Sequence, residues 1–406
     1  MTDGTGRAVS SGRIAILLQS LDGGGAQRRM VTLANRFVRL GRRVDVVVVS
    51  GGGELADELS PAIRLYTLGG QRERLNRPNT IEDLAAYLHV ERPVVLLSGA
   101  AVVHPLAVAA RAAFPAIALV LRASSHPLRP IRWTRPWHGL KELIERRGRA
   151  RCYARADAIV AVSEDVAAAM RRLAPGVAVK VIRNPIITPR FRAGATQPIT
   201  LPWDQDLDGP LIVSIGRIHR AKDFPTLLRA FALFRQSRPG RLVIIGDSGS
   251  SRGRRAVLRL INRLDIAEDV AVLGPTNAIA AWLARADLFV SSSIWEGSPA
   301  VLVEAMAMGC TVVATDCPGG SHEILQGGRI GRLVPMRDPV AMARAMAVGL
   351  DYPTSPETLI AASNLYAESG RAEEYLAMID SCIKTAVVRR SKGVWISGVS
   401  GARLGY

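Results

Sequence analysis

Residues 288–315 read LFVSSSIWEGSPAVLVEAMAMGCTVVAT. The apolar run Leu288–Ser291 predicts a short buried strand, and the β-branched run Thr311–Thr315 predicts another. Between them a polar loop carries Glu296, Ser298 stands where a helix N-cap belongs, and Pro299 suits the first helical position. Glu304 then falls about one and a half turns inside that helix. A strand, a helix and a second strand so closely spaced predict a parallel pair joined by a crossover.

The same alternation continues on either side. Upstream of residue 288 the predicted strands of this series are Leu211–Ile215, Leu242–Ile245 and Val270–Leu273, and downstream Gly331–Val334. An earlier series comprises Arg13–Leu18, Val44–Val49, Val94–Leu97, Ile117–Leu121, Ala158–Val162 and Val179–Ile182. Helical patterns lie between them, such as Ala26–Leu40 with Met30, Leu33, Ala34 and Phe37 on one face. Strands that alternate with helices predict a parallel sheet covered on both faces, and two series predict two doubly wound α/β domains. Asn184–Pro210, rich in Pro, Thr, Gly and Asp, joins them. The predicted units are residues 1–186, residues 187–370, a C-terminal helix at 371–388 and a frayed, Gly/Ser/Arg-rich tail at 389–406.

The composition of the 406 residues, 48% hydrophobic and 22% charged, is that of a globular protein and excludes disordered, collagenous and coiled-coil classes. The four cysteines show no metal-ligand spacing and no disulfide framework, which points to structural thiols in a reducing compartment. The uncharged stretch Pro93–Ala110 is interrupted by Ser98, Gly99, His104 and Pro105, and reads as strand, turn and helix rather than a membrane span. The expected location is cytoplasmic. The net charge of +18 is uneven, because residues 1–200 carry 30 cations against 15 anions. The excess concentrates in Arg122–Arg155, where cations interleave with Trp133, Trp137, His126 and His138. Such a segment suits an anionic bilayer surface, and a solvated helix face is the plainer reading. It would also suit nucleic acid, but no recognised nucleic-acid motif accompanies it and none is expected as a partner.

In open α/β sheets ligands bind beyond the carboxyl ends of the strands, and four loops there carry chemistry. The loop and helix at 291–305 hold Glu296 and Glu304, whose carboxylates can each accept two sugar or ribose hydroxyls, with the helix start at Gly297 and Ser298 suited to an anion. Gly216 permits a tight turn after Leu211–Ile215, from which Arg217 and Lys222 project, two cations suited to a diphosphate leaving group. After the first strand Asp22-Gly23-Gly24-Gly25-Ala26-Gln27 lets backbone approach a ligand, and it is not a dinucleotide fingerprint. After Thr311–Thr315, Gly319 and Gly320 can present N–H groups to phosphate or sugar oxygens.

Together the pair Glu296 and Glu304 (E-x7-E), the GGGAQ loop, Ala156–Ser163, Gly216-Arg217…Lys222 and Gly319-Gly320…Glu323 resemble retaining glycosyltransferase family 4, which has the GT-B fold. The resemblance covers most of residues 13–335. It implies a nucleotide-sugar donor in the second domain, an acceptor on the first, and a last helix that crosses back to the first domain. It assigns sugar hydroxyls to Glu296, the ribose to Glu304, the diphosphate to Arg217 and Lys222, and approach from the other domain to Gly24 and Gly25. His126 resembles the family's cleft histidine, although an isolated histidine reads equally as structural. Arg183-Asn184-Pro185 stands where many members have Asn-Gly and resembles a branch using N-acetylhexosamine donors, and Gln27 replaces a commoner Glu. The expected activity is a same-face retaining transfer without metal or other cofactor, to a glycan or polyprenyl-linked acceptor in surface polysaccharide or glycoconjugate synthesis. Asp204 and Asp206 have D-x-D spacing but lie in the linker and read as solvated loop. The rivals are a sugar-nucleotide epimerase or hydrolase on the same fold, and a non-catalytic membrane-surface protein.

Overall fold

Two parallel sheets form the frame of the computed structural model, which describes residues 12–22, 24–69, 78–127, 136–203, 209–246 and 251–391. The first sheet has seven strands: β1 (Ile14–Leu18), β2 (Val44–Val48), β3 (Arg64–Thr67), β4 (Val95–Ser98), β5 (Ala118–Ala123), β6 (Ala158–Ala161) and β7 (Ala178–Val181). Their spatial order is 3-2-1-4-5-6-7, with Ile14 opposite both Val44 and Val95. The second has six: β8 (Leu211–Ile215), β9 (Arg241–Ile245), β10 (Val270–Leu273), β11 (Leu288–Ser291), β12 (Thr311–Thr315) and β13 (Arg332–Val334). Its order, 10-9-8-11-12-13, repeats the first six positions of the other sheet. Each sheet therefore reverses its winding once, between β1 and β4 and between β8 and β11, as the two doubly wound domains of the GT-B fold require.

The strands carry apolar residues on both faces because helices cover both. Ile14, Ile16, Val46 and Val120 face one core of the first sheet, while Ala15, Leu17, Leu96 and Leu119 face the other. Helix Gly25–Arg39 turns Met30, Leu33, Ala34 and Phe37 inward, and Arg36 and Arg39 in its last turn complement the dipole. β3 was not anticipated, and the reason is that all four of its residues are exposed. At a sheet edge with neither face covered, the hydrophobic signal vanishes.

Helix Arg371–Ser391 packs on the first sheet although the chain reaches it from the second. Ala372, Tyr375, Ile379 and Ile383 join the core of Ile14 and Val46, Tyr375 meets Phe37 edge-on at 6.3 Å, and Arg42 pairs with Asp380 at 3.0 Å. The chain thus passes between the sheets twice, and the passages lie side by side. Ile186 N donates to Tyr366 O (2.8 Å), Glu368 N donates to Ile187 O (3.0 Å), and Ile187 bridges Ala367. Ile186 and Ile187, expected in a loose linker, are buried in the second sheet's core.

The segment 93–110 forms β4, a 3-10 turn and helix His104–Arg111, and among the described residues no helix is long and apolar enough to cross a membrane. Gly23, Trp133, Asp204, Asp206 and the tail beyond residue 391 lie outside the described residues.

Candidate active site

At the point where the second sheet reverses, the loops after β8 and β11 diverge from adjacent strand ends. After β8, Gly216 N donates to Ile245 O (2.9 Å), and the chain turns through His219 N to Arg217 O (2.7 Å) and Lys222 N to His219 O (2.9 Å). Lys222 folds back over Gly216, whose missing Cβ would lie 2.9 Å from Lys222 Cε. The two loops are then stitched together: Ser292 Oγ donates to Lys222 O (2.6 Å) and Ile294 N to Ala221 O (2.8 Å). This stitching brings Lys222 Nζ to 2.5 Å from Glu296 Oε1, which also accepts from Ser293 Oγ at 2.7 Å. The structure therefore joins Gly216, Lys222 and Glu296 in one cluster. Arg217 is exposed at its edge.

The loop after β12 supplies the opposite wall. Gly319 has φ +124°, and a Cβ there would meet Glu296 O. Only glycine fits this close approach. Glu296 N donates to Pro318 O (3.0 Å), which ties the Glu296 loop to the Gly319 loop. Gly320 packs 3.2 Å from Gly297 O through its would-be Cβ and precedes the short helix Ser321–Ile324. Cys317 in this loop is buried, and burial pushes its thiol up to about 11, so it stays neutral.

One predicted detail is corrected. Ser298 does not cap the helix, which runs Ala300–Ala307 with Pro299 extended (φ −67°, ψ 99°) at the N-cap position and no side-chain cap bond. The cause is tertiary: Gly297 is pinned against the first domain. Its carbonyl accepts from Ser163 Oγ at 3.3 Å, and its would-be Cβ lies within contact of Ser124 O and 2.8 Å from Ser125 Cα. The chain bends at Gly297 and Ser298 where that contact is made, and the helix starts after Pro299.

The first domain reaches the site with Asp165, Glu164 and Arg29, which local patterns did not single out, beside residues the sequence had named. Asp165 Oδ2 accepts from Gly319 N at 2.8 Å and lies 3.6 Å from His126 Nε2, which places His126 at the junction of the two domains. Glu323 Oε1 accepts from Arg183 (2.6 Å) and Oε2 from Glu164 N (2.8 Å). Arg29 Nη2 donates to Glu304 Oε1 at 2.8 Å, spanning 275 residues of sequence. Arg29 had one legible signal, a cation four residues before Leu33 on the apolar face of its helix. Gly24 occupies the N-cap position of that helix, and around Gly25 no heavy atom lies within 4 Å of a built Cβ, so the loop presents open backbone there.

Arg122, expected to open a basic surface segment, is instead buried on β5. It donates to Gly99 O (3.1 Å) and Asn184 Oδ1 (2.6 Å). The apolar strand that carries it leaves its side chain no route to solvent. Beside it His104 is buried between Ser98 Oγ (2.7 Å) and Arg122 O (3.2 Å), and burial drives its pKa down to about 3, so it is a neutral structural group. The surface part of the segment is helix Pro136–Tyr153, where Leu143, Ile144, Arg146, Arg147 and Arg151 are exposed. The side chains of Trp137 and His138 lie outside the described residues. All four cysteines are free thiols, three of them buried. Among the described residues no three of His, Cys, Asp or Glu are grouped to hold a metal.

Comparison with known proteins bears on this geometry. Residues 23–190 match the family model described as Glycosyltransferase Family 4, and residues 209–351 that described as Glycosyl transferases group 1. The N-acetylgalactosamine-N,N'-diacetylbacillosaminyl-diphospho-undecaprenol 4-alpha-N-acetylgalactosaminyltransferase of Campylobacter jejuni is 30% identical over 36% of this chain and 39% of its own length. The D-inositol 3-phosphate glycosyltransferase of Streptomyces scabiei is 35% identical over 44% of this chain and 41% of its own. The chain thus spans less than half the length of either relative. In fold, a crystal structure of the Anabaena HepE protein in complex with UDP matches with TM-score 0.71 at 19% identity, over 91% of this chain and 100% of that one.

Proposed function

The chain belongs to glycosyltransferase family 4, and from that premise we propose that it moves a hexose or N-acetylhexosamine from a nucleoside-diphosphate sugar to a glycan or lipid-linked acceptor, with retention at the anomeric carbon. The observation that carries this reading is the Lys222–Glu296 pair at 2.5 Å, held where the second sheet reverses and walled by Gly319. A cation fixed at a strand end beside a carboxylate offers one partner to a departing diphosphate and one to sugar hydroxyls. In this reading Arg217 and Lys222 stabilise the leaving phosphate, Glu296 orients the sugar, and Glu304 takes the ribose. The Gly319 N–H, expected to meet the donor, is instead taken by Asp165; the helix start beyond Gly297 and Ser298, with Gly320 beside it, adds positive potential, while Gly24 and Gly25 approach from the first domain with His126 beside the acceptor. The acceptor hydroxyl enters on the face from which the phosphate departs. In this reading Lys222, held by Glu296, and Arg217, exposed beside it, supply the charge that a metal would otherwise supply. The donor nucleotide is taken to be UDP, the ligand of the Anabaena neighbour. A lipid-linked acceptor accords with the diphospho-undecaprenol named for the Campylobacter relative.

The test is thermal stabilisation by UDP, GDP, ADP and dTDP, each with and without EDTA, followed by transfer from the sugar nucleotide that the winner indicates. A selective shift indifferent to EDTA, and transfer that falls at least about tenfold in Arg217→Ala, are expected. Donor consumption without acceptor would replace this reading by an epimerase or hydrolase. Absence of any shift would favour a non-catalytic module.

We also propose that helix Pro136–Tyr153 rests on the anionic cytoplasmic face of a membrane, since Leu143 and Ile144 are exposed among Arg146, Arg147 and Arg151. Each cation near such a surface is worth about 1 kcal/mol. Replacing Arg146 and Arg147 by Gln is expected to weaken binding to vesicles with acidic headgroups by roughly tenfold or more at low salt. Equal binding by the variant would remove the helix from the membrane.

A further inference from the structure

Arg29 is a cation of the first domain buried to 7% exposure, and its ion pair is with a carboxylate of the second domain. A buried guanidinium needs a partner, and Arg29 has two: Glu304 Oε1 at 2.8 Å and Ile186 O at 3.4 Å, in the passage between the domains. Around it the charge is lopsided. Arg122 is buried nearby and donates to the neutral oxygens of Gly99 and Asn184, and Arg28 is engaged by Glu58 at 2.6 Å. Among the described residues Glu304 is the one carboxylate paired with Arg29. The contact uses one carboxylate oxygen. Among the described residues Glu304 Oε2 accepts no hydrogen bond, and the side chain keeps 13% exposure. The domains are joined elsewhere by Asp165 to Gly319, Ser163 to Gly297 and Arg183 to Glu323, so Arg29 is not needed to dock them.

We infer that Arg29 is a positioning residue for nucleotide specificity. By holding Oε1 of Glu304 it aims Oε2 at a hydroxyl, so that recognition of the donor ribose by the second domain depends on a residue of the first. The inference rests on the assignment of the ribose to Glu304 made above. Binding of the nucleotide and docking of the domains are then linked, since each is stronger when the other is in place.

The test compares, by calorimetry on the full chain, the nucleoside diphosphate that stabilises the protein most with its 2′-deoxy and 3′-deoxy forms. The wild type is expected to prefer the ribonucleotide over one deoxy form by roughly tenfold to a hundredfold, the worth of a hydrogen bond to a charged acceptor. In Arg29→Met that ratio is expected to fall to within about threefold of unity while affinity for the deoxy form is retained. In Arg29→Lys, which keeps the charge but not the planar fork, the ratio should be intermediate. A purely structural role would weaken both nucleotides alike and leave the ratio untouched, which overturns the inference. If Arg29→Met does not fold, a wild-type ratio in Arg29→Lys overturns it equally. Glu304→Ala separates the two levels. If it abolishes the preference while the Arg29 variants keep it, only the role of Arg29 falls. If it leaves the preference intact, or no nucleotide binds, the ribose assignment fails and this inference fails with it.

Discussion

Two charged clusters, one buried and one half-buried, occupy opposite ends of strands, and they differ in how completely they are satisfied. At the amino ends of the first sheet, Asp45 is 1% exposed and accepts four hydrogen bonds, two on each oxygen. The donors are Arg13 (2.6 Å), Arg64 (3.0 and 2.8 Å) and the Tyr87 hydroxyl (2.8 Å). At the carboxyl ends of the second sheet, among the described residues Glu296 accepts from Lys222 and Ser293 on Oε1 alone, and its side chain keeps 15% exposure. A carboxylate whose lone pairs are all taken has no capacity for a ligand and can serve only the fold. One that is oriented by half its capacity is built to accept something else. The polarity of a parallel sheet puts the first kind at one end and the second kind at the other, with the connecting loops of the site on the carboxyl side.

The sharpest way to break this comparison is Lys222→Ala. The change removes the cation from the unsaturated cluster and touches no core residue. Turnover from the sugar nucleotide is expected to fall by about 10²- to 10³-fold, the usual loss when one preorganised charge partner of a leaving group is deleted. The melting temperature is expected to move by only a few degrees, because the side chain is half-buried and its loop is held by Ser292 and Ile294 through backbone atoms. Full activity with a large loss of stability would make the Lys222 cluster structural, like that of Asp45.

What could be read beforehand follows the range of the interaction. The frame was legible because buried parallel strands are continuous apolar runs, and the four loops were legible because glycine and charge gather at the ends of those runs. β3 escaped because Arg64–Thr67 has no buried side chain to set a period. Arg122 was assigned to the surface by its charge, although the strand residues Leu121 and Ala123 on either side of it are both buried. The helix start at Ser298 and Pro299 obeyed every local rule and lost to the contact of Gly297 with Ser124 and Ser163 of the other domain. The cross-domain pairings of Arg29, Asp165 and Arg183 were out of reach for the same reason. They meet the site across 140 to 275 residues of chain, and no local pattern encodes which loops will face each other.

Asp45→Asn tests the other side of the comparison, with an expected effect on stability and none on chemistry. Burial alone would raise the Asp45 pKa, but the hydrogen bonds from Arg64, Tyr87 and Arg13, with the Arg13 charge, outweigh it and hold the carboxyl below its ordinary value. The sign of the pH dependence follows. A depressed carboxyl pKa contributes stability that is complete above the unfolded value of about 3.9 and disappears as pH falls through the lower folded value. Removing the charge leaves Arg13 and Arg64 without their main partner, yet Arg64 is 48% exposed and recovers solvent. The loss is therefore expected to be about 2–4 kcal/mol, toward the lower end for a broken buried pair. Urea unfolding at pH 7 should show that gap between wild type and variant, and the gap should narrow progressively below about pH 4. Turnover per folded molecule should stay within about twofold, since no Asp45 partner lies at the carboxyl ends of the strands. A pH-independent gap would mean that Asp45 acts through packing rather than charge, and a loss of turnover at full stability would mean that the amino ends of the sheet reach the chemistry after all.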